Sequence, residues 1–215
     1  MAKKPVPAAT QDHSGAPTLT ELRREAAQCR RCPLYRNATR TVFGEGGAHA
    51  AMVLVGEQPG DQEDRQGRPF VGPAGKILDH ALEDAGIARK DVYVTNAVKH
   101  FKFEPRGKKR LHKRPDRGEI EACRWWLRAE IALIRPKLIV ALGATAARAL
   151  SGKALTIGRL RGTPLEFMGH KGFVTVHPSY LLRLPDREAR KLEYRKFVRD
   201  LRLVAKEAER ARLAA

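Results

Sequence analysis

Cysteine is scarce in this sequence. There are 3 in 215 residues, an odd number that makes a poor disulfide framework. The spacing Cys29-Arg30-Arg31-Cys32 is a better start for a metal or iron-sulfur site in a reducing compartment. Long apolar runs are missing too. The most apolar stretch, Leu138 to Leu150, carries Arg148 and falls short of the roughly 20 residues that cross a bilayer, so no membrane association is expected. Behind Lys3 and Lys4 there is no apolar core of a secretory signal. Residues 1–17 therefore read as a disordered leader ahead of a single domain over 18–215, in a cytoplasmic protein. Acids are few against bases, 24 Asp and Glu to 42 Lys and Arg, for a formal charge of +18. An excess of that size suits a polyphosphate partner, because each cation set near a phosphate releases counterions. The hydrophobic share of 42% excludes a disordered polyelectrolyte and is enough for one buried core. No feature asks for more than a monomer.

Four short runs rich in β-branched residues read as buried strands: Met52 to Val55, Val92 to Thr95, Leu138 to Leu142 and Phe173 to Val176. Helical periodicity separates them, over Gly75 to Ala85, Glu119 to Ile134, Ala144 to Leu150 and Asp186 to Leu213. This alternation predicts an α/β fold, a three-layer α/β/α sandwich around a mainly parallel four-stranded sheet. The ligand is then expected in the crevice outside the carboxyl ends of the strands. Gly56 to Asp61 follow the first strand, Asn96 the second, Gly143 the third and His177 to Ser179 the fourth. Between Lys99 and Arg117, nine Lys or Arg stand against two acids, Glu104 and Asp116. Pro105, Gly107 and Pro115 predict a long irregular loop there. A solvated charge run is the bland account of it. The start of the loop at the carboxyl end of a strand, with Phe101, Phe103 and His112 among its charges, favours binding.

Taken in order, four motifs resemble those of iron-sulfur uracil-DNA glycosylases, over about Cys29 to Leu201. They are Gly56-Glu57-Gln58-Pro59-Gly60-Asp61, Gly67-Arg68-Pro69-Phe70-Val71-Gly72-Pro73-Ala74-Gly75, Thr95-Asn96 and His177-Pro178-Ser179-Tyr180-Leu181-Leu182-Arg183. Within that group the UdgX type is the nearer likeness. The family-four enzymes lack the long basic loop and normally read GEAPG at the first motif, where this chain has Gln58. The loop Lys108-Lys109-Arg110-Leu111-His112 is similar to the UdgX signature KRRIH, with Lys109 and Leu111 as mild departures. The resemblance implies a [4Fe-4S] cluster on Cys29, Cys32, His100 and Cys123, with His100 in place of the last cysteine. A zinc ion on the same residues is the alternative. The resemblance also implies excision of uracil from DNA, single-stranded by preference, with free uracil as product. Finally, it implies a covalent bond from His112 to C1′ of the deoxyribose, which ends activity after a single turnover.

The chemistry of each side chain suits that task. A duplex hides the glycosidic bond, so the base comes from a single strand or is flipped into a pocket. Phe70 is placed to stack on the base. The Asn96 amide can donate to O4 and accept from N3–H of uracil, a pairing that cytosine does not satisfy. Gly56 and Ser179 complete the substrate-binding set. As the bond breaks, the base leaves as an anion and the sugar becomes oxocarbenium-like. That requires a donor at the uracil oxygen, His177, and carboxylates near C1′, Glu57 and Asp61, with Gln58 orienting them or a water. Arg183 steadies the DNA backbone and the loop, while Lys108, Lys109, Arg110 and Lys113 guide the strand. His112, a neutral imidazole at pH 7, is the nucleophile that captures the sugar before water does. If His112 only touches phosphate, water is the nucleophile and the protein turns over many times. If Glu57, His112 and His177 are all replaceable, the chain is a non-catalytic nucleic-acid-binding module.

Overall fold

The computed structural model describes residues 18–213; the leader expected over 1–17 lies outside the described residues. The chain enters with α1 (Leu19–Ala26), started by a capping box between Thr18 and Glu21. A short 3-10 turn, Pro33–Arg36, follows. Then β1 (Met52–Gly56) leads through α2 (Asp61–Gln66) and α3 (Pro73–Asp84) into β2 (Val92–Asn96). After it come β3 (Phe103–Arg106), β4 (Lys109–His112), α4 (Arg117–Ile134), β5 (Leu138–Leu142) and α5 (Ala144–Ser151). The chain ends with α6 (Ile157–Leu160), β6 (Leu165–Phe167), β7 (His170–Thr175), α7 (Pro178–Arg183) and α8 (Arg187–Leu213).

The main sheet runs β2-β1-β5-β7-β6, parallel except for β6. β1, β2 and β5 are buried along their whole length, as continuous apolar runs in a doubly covered parallel sheet should be. One face sets Val53, Val55, Ile139 and Val174 against Leu22 of α1, Leu127 and Ile131 of α4 and Ala147 of α5. The other sets Leu54, Val140 and Phe173 against Leu78 and Leu82 of α3 and Phe197, Leu201 and Val204 of α8. The expected α/β/α sandwich is present.

Two expectations are corrected. The sheet has five strands, because β6 pairs antiparallel with β7 through a tight turn at Met168 and Gly169, both at positive φ. Three residues are too few to show a period, and β7 begins at His170 instead of Phe173 because Gly172 makes room for the Phe167 ring. The basic stretch is not irregular either. It folds as a two-stranded hairpin, β3 on β4, turning at Gly107 with φ 57°. Pro105 is tolerated there because a ribbon with two outer edges leaves room for a residue that lacks an N–H.

Candidate active site

β1 and β5 are neighbours, but the chain leaves β1 for β2 on one side and β5 for β7 on the other. A crevice therefore opens beyond their carboxyl ends. Glu57, Asn96, Gly143 and His177 all stand at or just past strand ends there. The inner wall comes from Gly56, Phe70 and Asn96. A Cβ on Gly56 would lie 2.3 Å from Asn96 Oδ1 and 2.6 Å from Phe70 Cζ, so Gly56 serves by leaving space. Phe70 sits in the left-handed region at φ 57°. Its loop is held by Glu63, whose carboxylate accepts from the N–H groups of Gly72 at 2.8 Å and Gly60 at 3.1 Å. The Phe70 ring stacks with His177, with centroids 6.2 Å apart. Asn96 is 3% exposed.

His177 caps α7. Its Nδ1 accepts from the Ser179 backbone N–H at 3.2 Å, so the ring proton resides on Nε2. That Nε2 is buried and has no hydrogen-bond partner among the described residues; it is a donor awaiting an acceptor. Burial, followed by Arg183 and His112, pushes the His177 pKa down to about 4, and the ring is neutral at pH 7. The Ser179 hydroxyl lies 2.8 Å from the same Nδ1 and accepts from Arg183 Nη1 at 3.1 Å. Ser179 therefore fixes the His177 tautomer.

A second group gathers around Glu57. Its Oε2 accepts from the Thr145 hydroxyl at 2.5 Å and lies 3.9 Å from Arg114 Nε. Its Oε1 lies 3.6 Å from Nε2 of His112, whose side chain is 49% exposed at the end of β4. Burial of the inner edge of the ring holds the His112 pKa below the ordinary imidazole value; Glu57 opposes this and Arg183 reinforces it.

Gln58 clamps the hairpin at both ends. Its Oε1 accepts from Lys102 N–H at 3.1 Å, and its Nε2 shares two protons among three neighbours, the carbonyls of Lys102 at 3.2 Å and Lys113 at 3.0 Å and the ring of His112. These contacts fix the amide orientation. The same Nε2 lies 2.9 Å from His112 Nε2, and an amide nitrogen only donates, so His112 keeps a lone pair on Nε2 and its proton on Nδ1. The contacts of the Gln58 side chain thus run to the hairpin and to His112.

Asp61 belongs elsewhere. It pairs with Arg65 at 2.9 Å and with Arg110, which also binds Asp64 at 2.6 Å and lies over the Phe101 and Phe103 rings. The first turn of α2 presents these two acids to the hairpin, so the expected catalytic Asp61 and strand-guiding Arg110 together form a latch. Lys113 pairs with Glu104 at 2.9 Å. Lys108 and Lys109 are exposed and without an ion-pair partner among the described residues. Sequence reasoning missed Thr145 and Arg114. Thr145 stands two residues beyond Gly143 at a strand's carboxyl end, and that position was the available signal.

At the base of the hairpin, Cys29 Sγ accepts from Trp126 Nε1–H at 3.1 Å and Cys123 Sγ from Lys99 N–H at 3.2 Å. Burial raises the thiol pKa of Cys32 and of Cys123; the nearby Cys29 adds to both and Cys32 adds to that of Cys123. His100 is buried, with Nε2 2.8 Å from Thr41 Oγ1 and Nδ1 lacking a partner among the described residues. Cys29 and His100 share a cavity of about 350 Å³. Among the described residues no three His, Cys, Asp or Glu side chains converge tightly enough to hold one metal ion. Three thiols with N–H groups on two of their sulfurs, and an orphaned imidazole nitrogen beside a cavity, are a donor set that fits a soft, thiolate-bound group.

The uracil DNA glycosylase superfamily model matches residues 43–202 of this chain. A type-4 uracil-DNA glycosylase of Thermotoga maritima is 44% identical over 167 residues, 77% of this chain and 83% of that protein. The type-4 enzyme of Pyrobaculum aerophilum is 36% identical, covering 78% of this chain and 86% of its own length. A type-5 uracil-DNA glycosylase of the same organism is 30% identical, covering 77% of each. This chain belongs to the uracil-DNA glycosylase superfamily.

Proposed function

We propose that the protein excises uracil from DNA, single strands by preference, and traps itself on the product through His112. The observation that carries this reading is the His112 lone pair, held by Gln58 on a latched hairpin with its nitrogen 3.6 Å from the Glu57 carboxylate. The N1–C1′ bond breaks and its electron pair leaves with the base. The His177 Nε2–H donates to uracil O2, Asn96 reads the O4 and N3–H edge, and Phe70 stacks on the ring. Glu57, oriented by Thr145 and Arg114, stabilises the positive charge at C1′. The Gln58 N–H lets go of His112 Nε2, whose freed lone pair forms the bond to C1′ that the departing base has vacated. The resulting imidazolium loses its Nδ1 proton to water, and the uracil anion takes one up.

Lys108 and Lys109 meet the strand. Cys29, Cys32, Cys123 and His100 would hold the [4Fe-4S] cluster, which when bound supplies a rigid cross-link between the segment after α1, the base of the hairpin and α4. About four iron atoms per chain supports the cluster, and one zinc atom supports the alternative.

The test is to mix the protein with a uracil-containing single-stranded oligonucleotide, boil it in SDS and run a gel beside a thymine control. A boil-resistant shifted band that needs uracil is expected. A strand that is alkali-labile at the uracil but forms no band makes the protein an ordinary turnover glycosylase. Neither result leaves only a nucleic-acid-binding module. The base-reading role has its own prediction. Asn96→Asp should cost on the order of 10²-fold in uracil excision, because a carboxylate cannot donate to O4 and repels the departing anion. An unchanged single-turnover rate would remove Asn96 from the pocket.

A further inference from the structure

α8 is divided lengthwise by charge. At 3.6 residues per turn, Arg187, Lys191, Arg195, Arg199, Arg202 and Lys206 fall within about one third of its circumference, and all six are exposed. The acids Glu193, Asp200 and Glu207 recur every seven residues on the other flank, and each is bonded to the body of the protein. Glu193 and Asp200 bind Arg161 at 2.9 and 2.8 Å, and Glu207 binds Lys171. These three acids are thus committed inward while the six cations are turned outward. Arg187, Arg195, Arg199 and Lys206 have no ion-pair partner among the described residues. Lys191 pairs with Glu188, and Arg202 donates to the Asp84 carbonyl. Glu188 and Glu209 are the acids on the basic flank, one toward each end.

The stripe has a direction. Three residues separate α8 from Arg183, the α7 residue that holds Ser179 under His177. The far end of the helix reaches the start of β5, where Lys137 Nζ donates to the Ala211 carbonyl at 2.8 Å. There Arg199, Arg202 and Lys206 border a cleft of about 1320 Å³ whose other walls carry Lys90 and Lys137 together with Asp84 and Asp91. The cations thus run from the crevice to the opposite end of the sheet. From Arg187 to Lys206 they cover about 28 Å at 1.5 Å per residue, the length of about eight nucleotides at the stacked spacing of duplex DNA and of fewer in an extended single strand.

We propose that this flank of α8 is a phosphate track that holds the DNA strand on its way out of the crevice. The proposal rests on the reading of DNA as substrate and adds a second, sequence-independent contact surface to the hairpin. The occupant is the sugar-phosphate backbone, because a row of six exposed cations, five of them without an acidic partner among the described residues, offers charge along a line rather than a pocket for a base.

The test uses the full chain and a triple variant, Arg195→Gln/Arg199→Gln/Lys206→Gln, which leaves the crevice and the Arg202 bond to α3 untouched. Two uracil oligonucleotides are compared, one with four nucleotides on each side of the uracil and one with fifteen. Single-turnover uracil release from the short strand should be the same in both proteins. On the long strand with thymine in place of uracil, where binding stays reversible, the variant should bind about tenfold more weakly at low salt, with a slope of log affinity against log salt smaller by about 2. Equal affinity and slope for the two proteins on the long strand, or equal losses on both strands, would overturn the track. Failure of the unaltered protein to release uracil from either strand would instead overturn the reading on which it rests.

Discussion

His112→Ser is expected to abolish the boil-resistant adduct while the treated strand still becomes alkali-labile at the uracil. The two halves of the site explain why these outcomes separate. On the proposed reading, departure of the base depends on His177, Asn96 and Phe70, at the N-cap of α7, on β2 and in the loop before α3, and none of them touches the substituted side chain except through the weak field of the imidazole. Capture of the sugar depends on one lone pair. A serine hydroxyl there is shorter and remains protonated at neutral pH, so the rate of adduct formation should fall by on the order of 10³ or more. Water should then take the place of the ring, and the serine variant should release uracil over many turnovers. Single-turnover and multiple-turnover kinetics of uracil release, followed beside the SDS gel, measure both halves. An adduct that persists in the serine variant would mean that another side chain attacks. The pH profile of the unaltered protein adds a sign. Burial holds the His112 pKa below the ordinary imidazole value of 6.5, so the lone pair is free at pH 7 and adduct formation is on its plateau. As pH falls through the His112 pKa the ring protonates, and the rate should drop about tenfold per unit.

Much of this arrangement was legible in the residues, for identifiable reasons. β1, β2 and β5 are continuous apolar runs because both faces are covered, and the residues that end them had to reach the crevice whatever the loops did. Glu57, Asn96 and His177 do stand at or just past strand ends beside that crevice. What could not be read was side-chain partnership across long sequence separations. Asp61 looked like a second catalytic carboxylate because it sits in the motif; Arg110, 49 residues later, claims it through a hairpin whose strands are too short and too charged to show a period. Gln58 was placed beside the carboxylates, but its bonds go to Lys102 and Lys113, the two ends of that same hairpin. The fifth strand escaped for a related reason: Leu165 to Phe167 acquires its identity only from pairing with β7.

The other large effect lies under the base-reading end. Lys99 and Glu130 are both 0% exposed and 2.5 Å apart. The Lys99 amine spends its three protons on Glu130 Oε2, on Thr95 Oγ1 at 2.6 Å and on the carbonyl of Asn96 at 2.9 Å. Glu130 Oε1 in turn accepts from Tyr93 OH and from Gly44 N–H, both at 2.9 Å. Every donor and acceptor is used, which is the condition under which a buried ion pair is tolerable. Lys99→Met should therefore cost about 3–5 kcal/mol, since it strands a buried carboxylate. The double substitution Lys99→Met/Glu130→Gln removes both charges and keeps acceptors for Tyr93 and Gly44, so it should recover at least about half of that loss. Denaturant titration of the single and double variants measures both numbers; a single variant within about 1 kcal/mol of the parent would show that the pair contributes little. Recovery of stability need not recover function. The double variant still lacks the ammonium that pins the Asn96 carbonyl, and free uracil should inhibit it more weakly than it inhibits the parent, while affinity for a thymine strand stays the same. Equal inhibition would mean that β2 alone holds Asn96, and that the buried pair serves the core rather than recognition of the base.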